Sequence, residues 1–263
     1  MTKQPKKTPL MLTVVAAWHL TPNMIRVTLT APEIAAMNPD CHGANCKLFL
    51  PGMDQNRQAF AAQLAEGPRP AVRTYTIRQM RQNACEMDID FVDHGDAGPA
   101  SAWARRAAPG AFCGFAGPGP VKVKSFYADD YLVIADMSAI PVAAATLEAM
   151  PDDAIGTAIF QINHADDKQN FRIPEGMVCH WITTPDPQIA QDHIMDLVTS
   201  MASTDSCTQT CIAGESSLIK ALRHELLITR AMPKEDCYIS GYWKVGTIED
   251  DHQKMKRAEA AAG

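Results

Sequence analysis

The sequence predicts a protein of two domains, a β-rich half followed by an α/β half, with the boundary near Ser125. Before that residue, short strand-like runs are punctuated by Pro and Gly, which is typical of a small antiparallel barrel or sandwich. After it, apolar strands alternate with amphipathic helices, which is typical of a parallel, doubly wound sheet. The predicted domains therefore span residues 1–124 and 125–263.

The predicted strands of the first half are short runs rich in apolar and β-branched residues. They are Leu12–Ala16, Ile25–Thr30, Lys47–Leu50, Arg73–Arg78 and Met87–Val92. The segment Asp54–Pro70 has mixed polarity, and we expect it to form an excursion outside the sheet. The Gly- and Pro-rich stretch Gly114–Pro120 is expected to close this half.

The predicted elements of the second half follow one another as strand and then helix. The predicted strands are Tyr131–Ala135, Ile155–Ile162, Met177–Ile182, Gln209–Ala213 and Cys237–Gly241. The predicted helices are Ile140–Met150, Gln188–Met201 and Ser216–Thr229. The first of these strands is nearly all apolar, as expected when both of its faces are covered. The tail Ile248–Ala262 mixes charges and alanines, which indicates a terminal helical extension.

Composition excludes several classes of protein. With 46% apolar and 21% charged residues the chain can bury a core, and a net charge of -6 argues against a general nucleic-acid binder. The most apolar long stretch, Tyr131–Met150, contains Asp136 and Pro141, so we expect no membrane insertion. The basic and then apolar N-terminus matches a secretory signal superficially, but Asn23–Thr30 continues it with strand alternation. We therefore expect a cytoplasmic protein, and we expect it to be a monomer.

The eight cysteines do not have the spacing of a metal site. Cys41 and Cys46 are separated by four residues and Cys207 and Cys211 by three. Zinc and iron–sulfur ligands characteristically come in pairs with two residues between them. We interpret the cysteines as scattered, mostly buried thiols, and we expect no metal held by protein side chains.

Residue chemistry points to ligand-binding loops in both halves without identifying a ligand. Asp136–Ala139 and Gly214–Ser217 follow predicted strands, at the sheet edge where doubly wound proteins bind ligands. No G-x-G-x-x-G fingerprint accompanies them, so ordinary tight turns remain an alternative. In the first half, Arg73 and Tyr75 share one face of a predicted strand, and His94–Ser101 leads into a helix start suited to phosphate oxygens. The alternative there is a strand charge, a core tyrosine and an ordinary helix start.

Several segments, spread in order over most of the chain, carry a resemblance to a known family. They are RTYTIR (73–78), DIDFVDHGDAGPASAWA (88–104), YLVIADMSAIPVAA (131–144), AGESSLIKALRHEL (213–226) and SGYWKVGTIEDDH (240–252). In these segments the chain resembles the siderophore-interacting proteins, flavin-containing ferric-siderophore reductases related to the ferredoxin–NAD(P)H reductase superfamily. The resemblance implies an N-terminal antiparallel six-stranded FAD-binding β-barrel, followed by a C-terminal doubly wound parallel-sheet domain of the NAD(P)H-binding type.

The resemblance assigns FAD binding to two segments of the first half. It implies that Tyr75 stacks on the isoalloxazine ring and that Arg73 pairs with the flavin phosphates, for which a planar donor fork is suited. His94 is expected to bind flavin rather than to abstract a proton. No catalytic residue is expected, because the flavin carries the chemistry. The expected cofactor contacts are Arg73, Thr74, Tyr75, Thr76, Asp90, Phe91, Val92, His94, Ala97, Gly98, Ala100 and Ser101.

The electron donor is expected to meet two loops of the second half. The residues implied by the resemblance are Asp136, Ser138, Gly214 and Glu215. For Glu215 a purely structural role at a helix N-terminus is an equal alternative. Asp166 and Asp167 would repel a 2′-phosphate if they faced the ribose, which favours NADH over NADPH, although both could be solvated turn residues. Ferredoxin is the alternative donor.

The expected substrate is an anionic ferric siderophore, which needs positive charge near the flavin. The expected contacts are Lys47, Trp243 and Lys244, with Lys124 or Lys122 as a third cation. For any one of these lysines, a role in solubility alone is the alternative. The resemblance implies reduction of siderophore-bound Fe(III) to Fe(II), and the alternative is a non-catalytic carrier with a vestigial flavin site. The terminal extension is expected to pack near the nicotinamide site and to limit cofactor entry.

Overall fold

The structure, a computed structural model, describes residues 8–202 and 206–247. The chain divides into two compact units, residues 1–121 and 122–263. This division lies three residues before the predicted boundary of 124/125. The predicted terminal helix Ile248–Ala262 falls outside the described residues.

The first unit is a closed antiparallel barrel of six strands, which confirms the barrel and excludes the sandwich. The strands are β1 (Leu10–Thr21), β2 (Met24–Thr30), β3 (Asn45–Leu50), β4 (Ala71–Arg81), β5 (Glu86–Val92) and β6 (Phe112–Ala116). Their order around the barrel is β1-β2-β5-β4-β3-β6. Every neighbouring pair runs antiparallel, and closure leaves no unpaired edge.

Two α-helices accompany the barrel, α1 (Arg57–Glu66) and α2 (Pro99–Arg106). Helix α1 occupies most of the predicted excursion between β3 and β4. The Asn56 side chain caps it by accepting a hydrogen bond of 2.9 Å from the Ala59 amide. The Phe60 side chain is fully buried and attaches the helix to the barrel.

Strand β6, which is not among the strands that the sequence predicts, overlaps the stretch Gly114–Pro120. Gly114 lies inside the strand and pairs with Met11 on one side and Phe49 on the other. A Cβ atom at Gly114 would lie 3.0 Å from side-chain atoms of both Phe49 and Leu64. The glycine is therefore required by close packing under α1 rather than by a turn, and composition alone gives no sign of that.

The second unit is a five-stranded parallel sheet, as predicted. Its strands are β7 (Asp130–Ala135), β8 (Ile155–Ile162), β9 (Gly176–Thr183), β10 (Thr208–Glu215) and β11 (Cys237–Trp243). Their order is β11-β10-β7-β8-β9, so the chain leaves the central β7 first in one direction and then in the other. This reversal creates a topological switch point between β7 and β10, the place where doubly wound sheets bind ligands.

Three α-helices connect these strands: α3 (Ile140–Ala149), α4 (Pro187–Ser200) and α5 (Ser216–His224). The predicted helix Ser216–Thr229 is wrong over its last turn, where Glu225–Thr229 forms a π-helical turn instead. None of the helices in the described part of the chain is long and apolar enough to cross a membrane.

Candidate functional site

The flavin motif predicted at Arg73–Thr76 lies within β4. Tyr75 stands opposite the buried Cys46 and Arg73 stands opposite the buried Leu48. Directly opposed residues of an antiparallel pair project to the same side, so Arg73 and Tyr75 share one face as predicted. Arg73 is only 8% exposed, and its guanidinium donates a hydrogen bond of 2.9 Å to the Val72 carbonyl oxygen.

A row of aromatic rings connects this strand to helix α2. The rings of Tyr75 and Phe91 have centroids 4.4 Å apart, and those of Phe91 and Trp103 have centroids 5.6 Å apart. Phe91 is fully buried, so its side chain supports Tyr75 from inside the barrel. The row brings the flavin motif and the predicted phosphate-binding helix together within one unit.

The start of α2 has the chemistry of an anion site. Gly98 is the N-cap residue, and no side chain caps the first turn. The first-turn amides of an α-helix have no intrahelical acceptor and carry positive partial charge. A Cβ atom at Gly98 would lie 2.8 Å from His94 Nε2, so the His94 ring rests directly against bare backbone. These uncapped first-turn amides fit the diphosphate of FAD.

Asp93 organises this loop and was missed by the sequence prediction. Its Oδ1 accepts hydrogen bonds from the Gly95 amide (3.0 Å) and from Ser101 Oγ (3.4 Å). Its Oδ2 lies 3.1 Å from His19 Nε2, and the Arg105 guanidinium lies 3.7 Å from Oδ1. Burial alone would raise the pKa of Asp93, but the hydrogen bonds from Gly95 and His19 and the charge of Arg105 outweigh it and lower that pKa.

Other expected FAD contacts differ in what they can offer a cofactor. The Asp90 carboxylate forms a two-pronged ion pair with Arg26 at 2.7 and 2.8 Å, and the Phe91 side chain lies in the core. The Asp90 side chain is thus engaged by Arg26 and the Phe91 side chain by the core, and contact of these two residues with FAD stays a prediction. The Val92 carbonyl oxygen lies 3.3 Å from His94 Nδ1, and Ala97 is exposed. Thr76 is 6% exposed.

In the second unit, the expected donor residues meet at the switch point between β7 and β10. Asp136 Oδ1 accepts hydrogen bonds from Ser138 Oγ (2.6 Å) and the Ser138 amide (2.9 Å). Asp136 Oδ2 accepts one of 2.6 Å from the indole Nε1 of Trp243. Burial raises the pKa of Asp136, and the hydrogen bonds from Ser138 and Trp243 only partly oppose that rise.

Glu215 occupies the helix N-terminal position expected for its structural role, and its contact with the donor stays a prediction. It is the N-cap residue of α5, and its carboxylate accepts hydrogen bonds from the amides of Ser217 and Leu218. It also accepts one of 3.2 Å from the Val245 amide, beyond the end of β11. Glu215 thus joins two loops at the same sheet edge.

Asp166 and Asp167, which follow β8, differ in exposure, and only Asp166 lies at the surface as the sequence predicts. Asp167 is fully buried, and its Oδ2 accepts a hydrogen bond of 3.0 Å from the His164 amide. It is therefore neither a solvated turn residue nor open to a nucleotide ribose. The Asp166 side chain is 74% exposed and stays available for that role.

The candidate cations occupy different settings. Lys47 Nζ donates a hydrogen bond to Thr74 Oγ1 on the neighbouring strand of the barrel. Lys124 is exposed, and burial lowers the pKa of the half-buried Lys122. Lys244 directly follows Trp243, and in the described part of the chain its ammonium forms no ion pair. Residues 8–202 and 206–247 contain no group of three or more His, Cys, Asp or Glu side chains arranged to hold a metal ion.

Comparisons with known proteins agree with this geometry. A family model for a siderophore-interacting FAD-binding domain matches residues 13–122, and one for siderophore-interacting protein matches residues 128–246. The ferric vibriobactin reductase ViuB of Vibrio cholerae is 30% identical over 94% of each chain. The crystal structure of the siderophore-interacting protein SipS from Aeromonas hydrophila superposes with a TM-score of 0.84 at 30% identity, covering 98% of this chain and 100% of that one.

The fold also extends to a wider group of proteins. Ferredoxin-NADP+ reductase from Plasmodium falciparum superposes with a TM-score of 0.64 at 15% identity, over 89% of this chain and 96% of that one. At that identity the likeness concerns the fold alone. The two family models together span most of both units and the first carries FAD binding, so the chain is a member of the siderophore-interacting protein family.

Proposed function

We propose that this protein reduces ferric siderophores in the cytoplasm, with FAD in the barrel domain and a reduced pyridine nucleotide as electron donor. The observation that carries the proposal is the arrangement inside the barrel unit. There, the aromatic row Tyr75–Phe91–Trp103 joins the flavin motif to α2, the helix whose first turn has no side-chain cap. The 30% identity to a ferric vibriobactin reductase supports the same reaction.

Named groups of the barrel would hold FAD. Tyr75 offers a rigid ring to the isoalloxazine, and Phe91 fixes that ring from behind. Arg73 supplies a planar cation for the phosphates. The first-turn amides at Ala100 and Ser101 supply uncharged donors with the favourable end of the helix dipole. These groups bind and orient the cofactor, and none of them needs to gain or lose a proton.

When bound, FAD supplies hydride acceptance from the donor and one-electron transfer to Fe(III). The protein's own part is orientation and charge complementarity. Lys47, Lys124 and Lys244 are the cations that we assign to the anionic chelate, with Trp243 as an apolar contact. Reduction releases the iron because Fe(II) binds hard oxygen ligands more weakly than Fe(III) does.

The donor is assigned to the sheet edge at Asp136, Ser138, Gly214 and Glu215. We favour NADH over NADPH because the exposed Asp166 carboxylate would repel a 2′-phosphate. Reduced ferredoxin is the competing donor. It would need no nucleotide at that edge.

The test is an anaerobic comparison of donors and acceptors with the purified holoprotein. NADH, NADPH and reduced ferredoxin are each mixed with oxidised protein, and flavin bleaching is followed by stopped flow. The reduced protein is then mixed with catecholate and hydroxamate ferric chelates, and flavin reoxidation is followed together with trapped Fe(II). We expect faster bleaching by NADH than by NADPH, and reoxidation that saturates with chelate. If the protein binds the chelate but its flavin is not reoxidised, the protein is a carrier and the proposal is overturned.

A further inference from the structure

A buried carboxylate at the switch point is bonded to neutral groups alone. Asp136 is 6% exposed, and both of its oxygens are engaged by hydrogen-bond donors from Ser138 and Trp243. In residues 8–202 and 206–247, no cationic side chain lies within ion-pair distance of it. A buried carboxylate without a cation is costly, so we looked for a role that Asp136 serves.

Two glycines make room for the groups that reach this edge. Gly214 on β10 stands next to Gly241 on β11 in the parallel register. A Cβ atom at Gly214 would lie 2.7 Å from Asp136 Oδ2, and the φ of Gly214 is +153°. A Cβ atom at Gly241 would lie 2.7 Å from Ser216 Oγ. The absence of a side chain at Gly214 leaves room for Asp136, and its absence at Gly241 leaves room for Ser216.

A register shift directs Trp243 towards Asp136. Gly214 pairs with Gly241, but the next residue, Glu215, pairs with Trp243, so Tyr242 is an extra residue in β11. Such bulges re-aim the side chains that follow them. The Tyr242 hydroxyl is held at 3.1 Å from the Tyr238 hydroxyl, and the Trp243 indole reaches Asp136 across β10.

The residues on either side of Lys244, Trp243 and Val245, are both held by hydrogen bonds. Trp243 is held through its indole by Asp136 and through its carbonyl oxygen by Ser216 Oγ at 2.7 Å. The Val245 amide donates to Glu215 Oε1 at 3.2 Å. The Lys244 carbonyl oxygen also accepts a hydrogen bond of 3.1 Å from the Thr247 amide. The backbone that carries Lys244 is therefore fixed.

We propose that Asp136 is a positioning residue for substrate: through Trp243 it fixes the backbone of Lys244, so that the ammonium group is presented to an anionic ferric chelate. The inference rests on the proposed function and deepens it, because it assigns to Asp136 a task in chelate binding as well as its place in the donor loop. A cation on a fixed backbone loses less conformational freedom on binding than one on a mobile loop.

Asp136→Asn and Trp243→Phe each disrupt the hydrogen bond between these two side chains, one from each end. Every partner of the Asp136 carboxylate donates a proton, and an amide has one acceptor oxygen and one NH2 donor, so Asn cannot satisfy all of these partners. Trp243→Phe keeps an aromatic ring and removes the indole donor together with part of the ring surface. Asp130→Asn makes the same chemical change at the opposite end of β7, and it is the control.

Chelate reduction is measured with a chemical reductant, so that the loop assigned to the electron donor takes no part. Holoprotein is reduced with dithionite, and its reoxidation is followed against the concentration of a ferric catecholate. We expect Asp136→Asn and Trp243→Phe each to raise the half-saturating chelate concentration about tenfold, which is about 1.4 kcal/mol of binding. The limiting reoxidation rate should change much less. The double variant should be no worse than the single ones, because both remove the same link.

An NMR readout separates this proposal from the proposed function. In protein labelled with 15N at tryptophan, the indole resonance lost in Trp243→Phe should shift in Asp136→Asn and stay unmoved in Asp130→Asn. Unchanged half-saturation in both variants, additive effects in the double variant, or an equal loss in Asp130→Asn would overturn the positioning role. If no ferric chelate reoxidises the wild-type protein while the indole shift is present, the proposed function is wrong and the substrate role is wrong with it.

Discussion

Asp93 in the barrel unit and Asp136 in the sheet unit are similar carboxylates in opposite environments. Each follows the end of a strand, and each accepts a hydrogen bond from a serine shortly after it, Ser101 or Ser138. Asp93 has His19 and Arg105 beside it, and its pKa is lowered. Asp136 has only neutral donors, and burial raises its pKa.

The difference suggests how each loop works. Around Asp93 the carboxylate is stabilised by positive charge, and the helix start next to it is left uncapped for an anion. The Asp136 carboxylate itself is enclosed, because it is packed against Gly214 and bonded to Trp243. We infer that the first loop receives a ligand, and that the Asp136 carboxylate, within the edge assigned to the electron donor, holds a segment of the chain itself.

The largest expected effect tests the close packing of Gly214 against Asp136. Gly214→Ala places a methyl group 2.7 Å from Asp136 Oδ2 at a φ of +153°. We expect a loss of about 3 kcal/mol in the free energy of unfolding of the second unit. Gly246→Ala is the control, since it has a φ of +72° but no atom within 4 Å, and it should cost about 1 kcal/mol. Urea unfolding followed by circular dichroism measures both, and equal losses would show that no close approach exists at Gly214.

The next effect tests the expected FAD contacts of His94 and Gly98 at the start of α2. Gly98→Ala would place a methyl group 2.8 Å from His94 Nε2, but the exposed His94 ring can move away. We therefore expect little loss of stability and an FAD affinity about tenfold weaker, because the displaced His94 ring, an expected flavin contact, no longer lies against the helix start. Gly52→Ala, whose nearest neighbour would be 3.7 Å away, is the control. Titration of apoprotein with FAD measures the affinity, and unchanged affinity in Gly98→Ala would remove the His94 ring from the expected FAD contacts.

A smaller effect compares two cations of the second unit. Lys244→Gln should weaken ferric-chelate binding about fivefold, since its backbone is fixed by the contacts of Trp243 and Val245. Lys124→Gln should weaken it by less than about twofold, because Lys124 lies exposed in a segment without regular structure. Chelate titrations at low and high salt measure both. An equal or larger effect at Lys124 would mean that backbone fixation does not matter for this charge.

The smallest effect is a pair of opposite pH dependences. A lowered pKa makes Asp93 contribute stability above about pH 4, and this contribution is lost as the pH falls through its native pKa. A raised pKa makes Asp136 contribute stability below about pH 4, and this contribution is lost as the pH rises through its native pKa. The stability of wild type minus that of Asp93→Asn should therefore fall on acidification, and the difference for Asp136→Asn should fall as the pH is raised. Urea unfolding at a series of pH values measures both, and slopes of the same sign would contradict the comparison.

Local sequence patterns predicted most of the elements, because strand alternation and apolar periodicity are local signals. Ile155–Ile162 is a strand over its full predicted length. Strand β6 was missed because Gly114 is selected by packing against Leu64, which is fifty residues away in the sequence.

The site residues divide in the same way. Tyr75 and Gly98 stand in local motifs, and the sequence could nominate them. Asp93 carries no local signal, because its partners His19 and Arg105 come from other elements. The Asp136–Trp243 bond joins residues 107 positions apart, and only the register of β10 and β11 brings them together. Asp167 was misjudged because its burial depends on the tertiary fold.

The most direct test of electron transfer from flavin to siderophore iron is an electron balance in a single turnover. Holoprotein reduced by a stoichiometric amount of dithionite is mixed, without oxygen, with excess ferric catecholate and an Fe(II)-trapping reagent. The account predicts that all flavin becomes reoxidised and that trapped Fe(II) equals the electrons supplied. Flavin that stays reduced while the chelate remains bound as Fe(III) would contradict it.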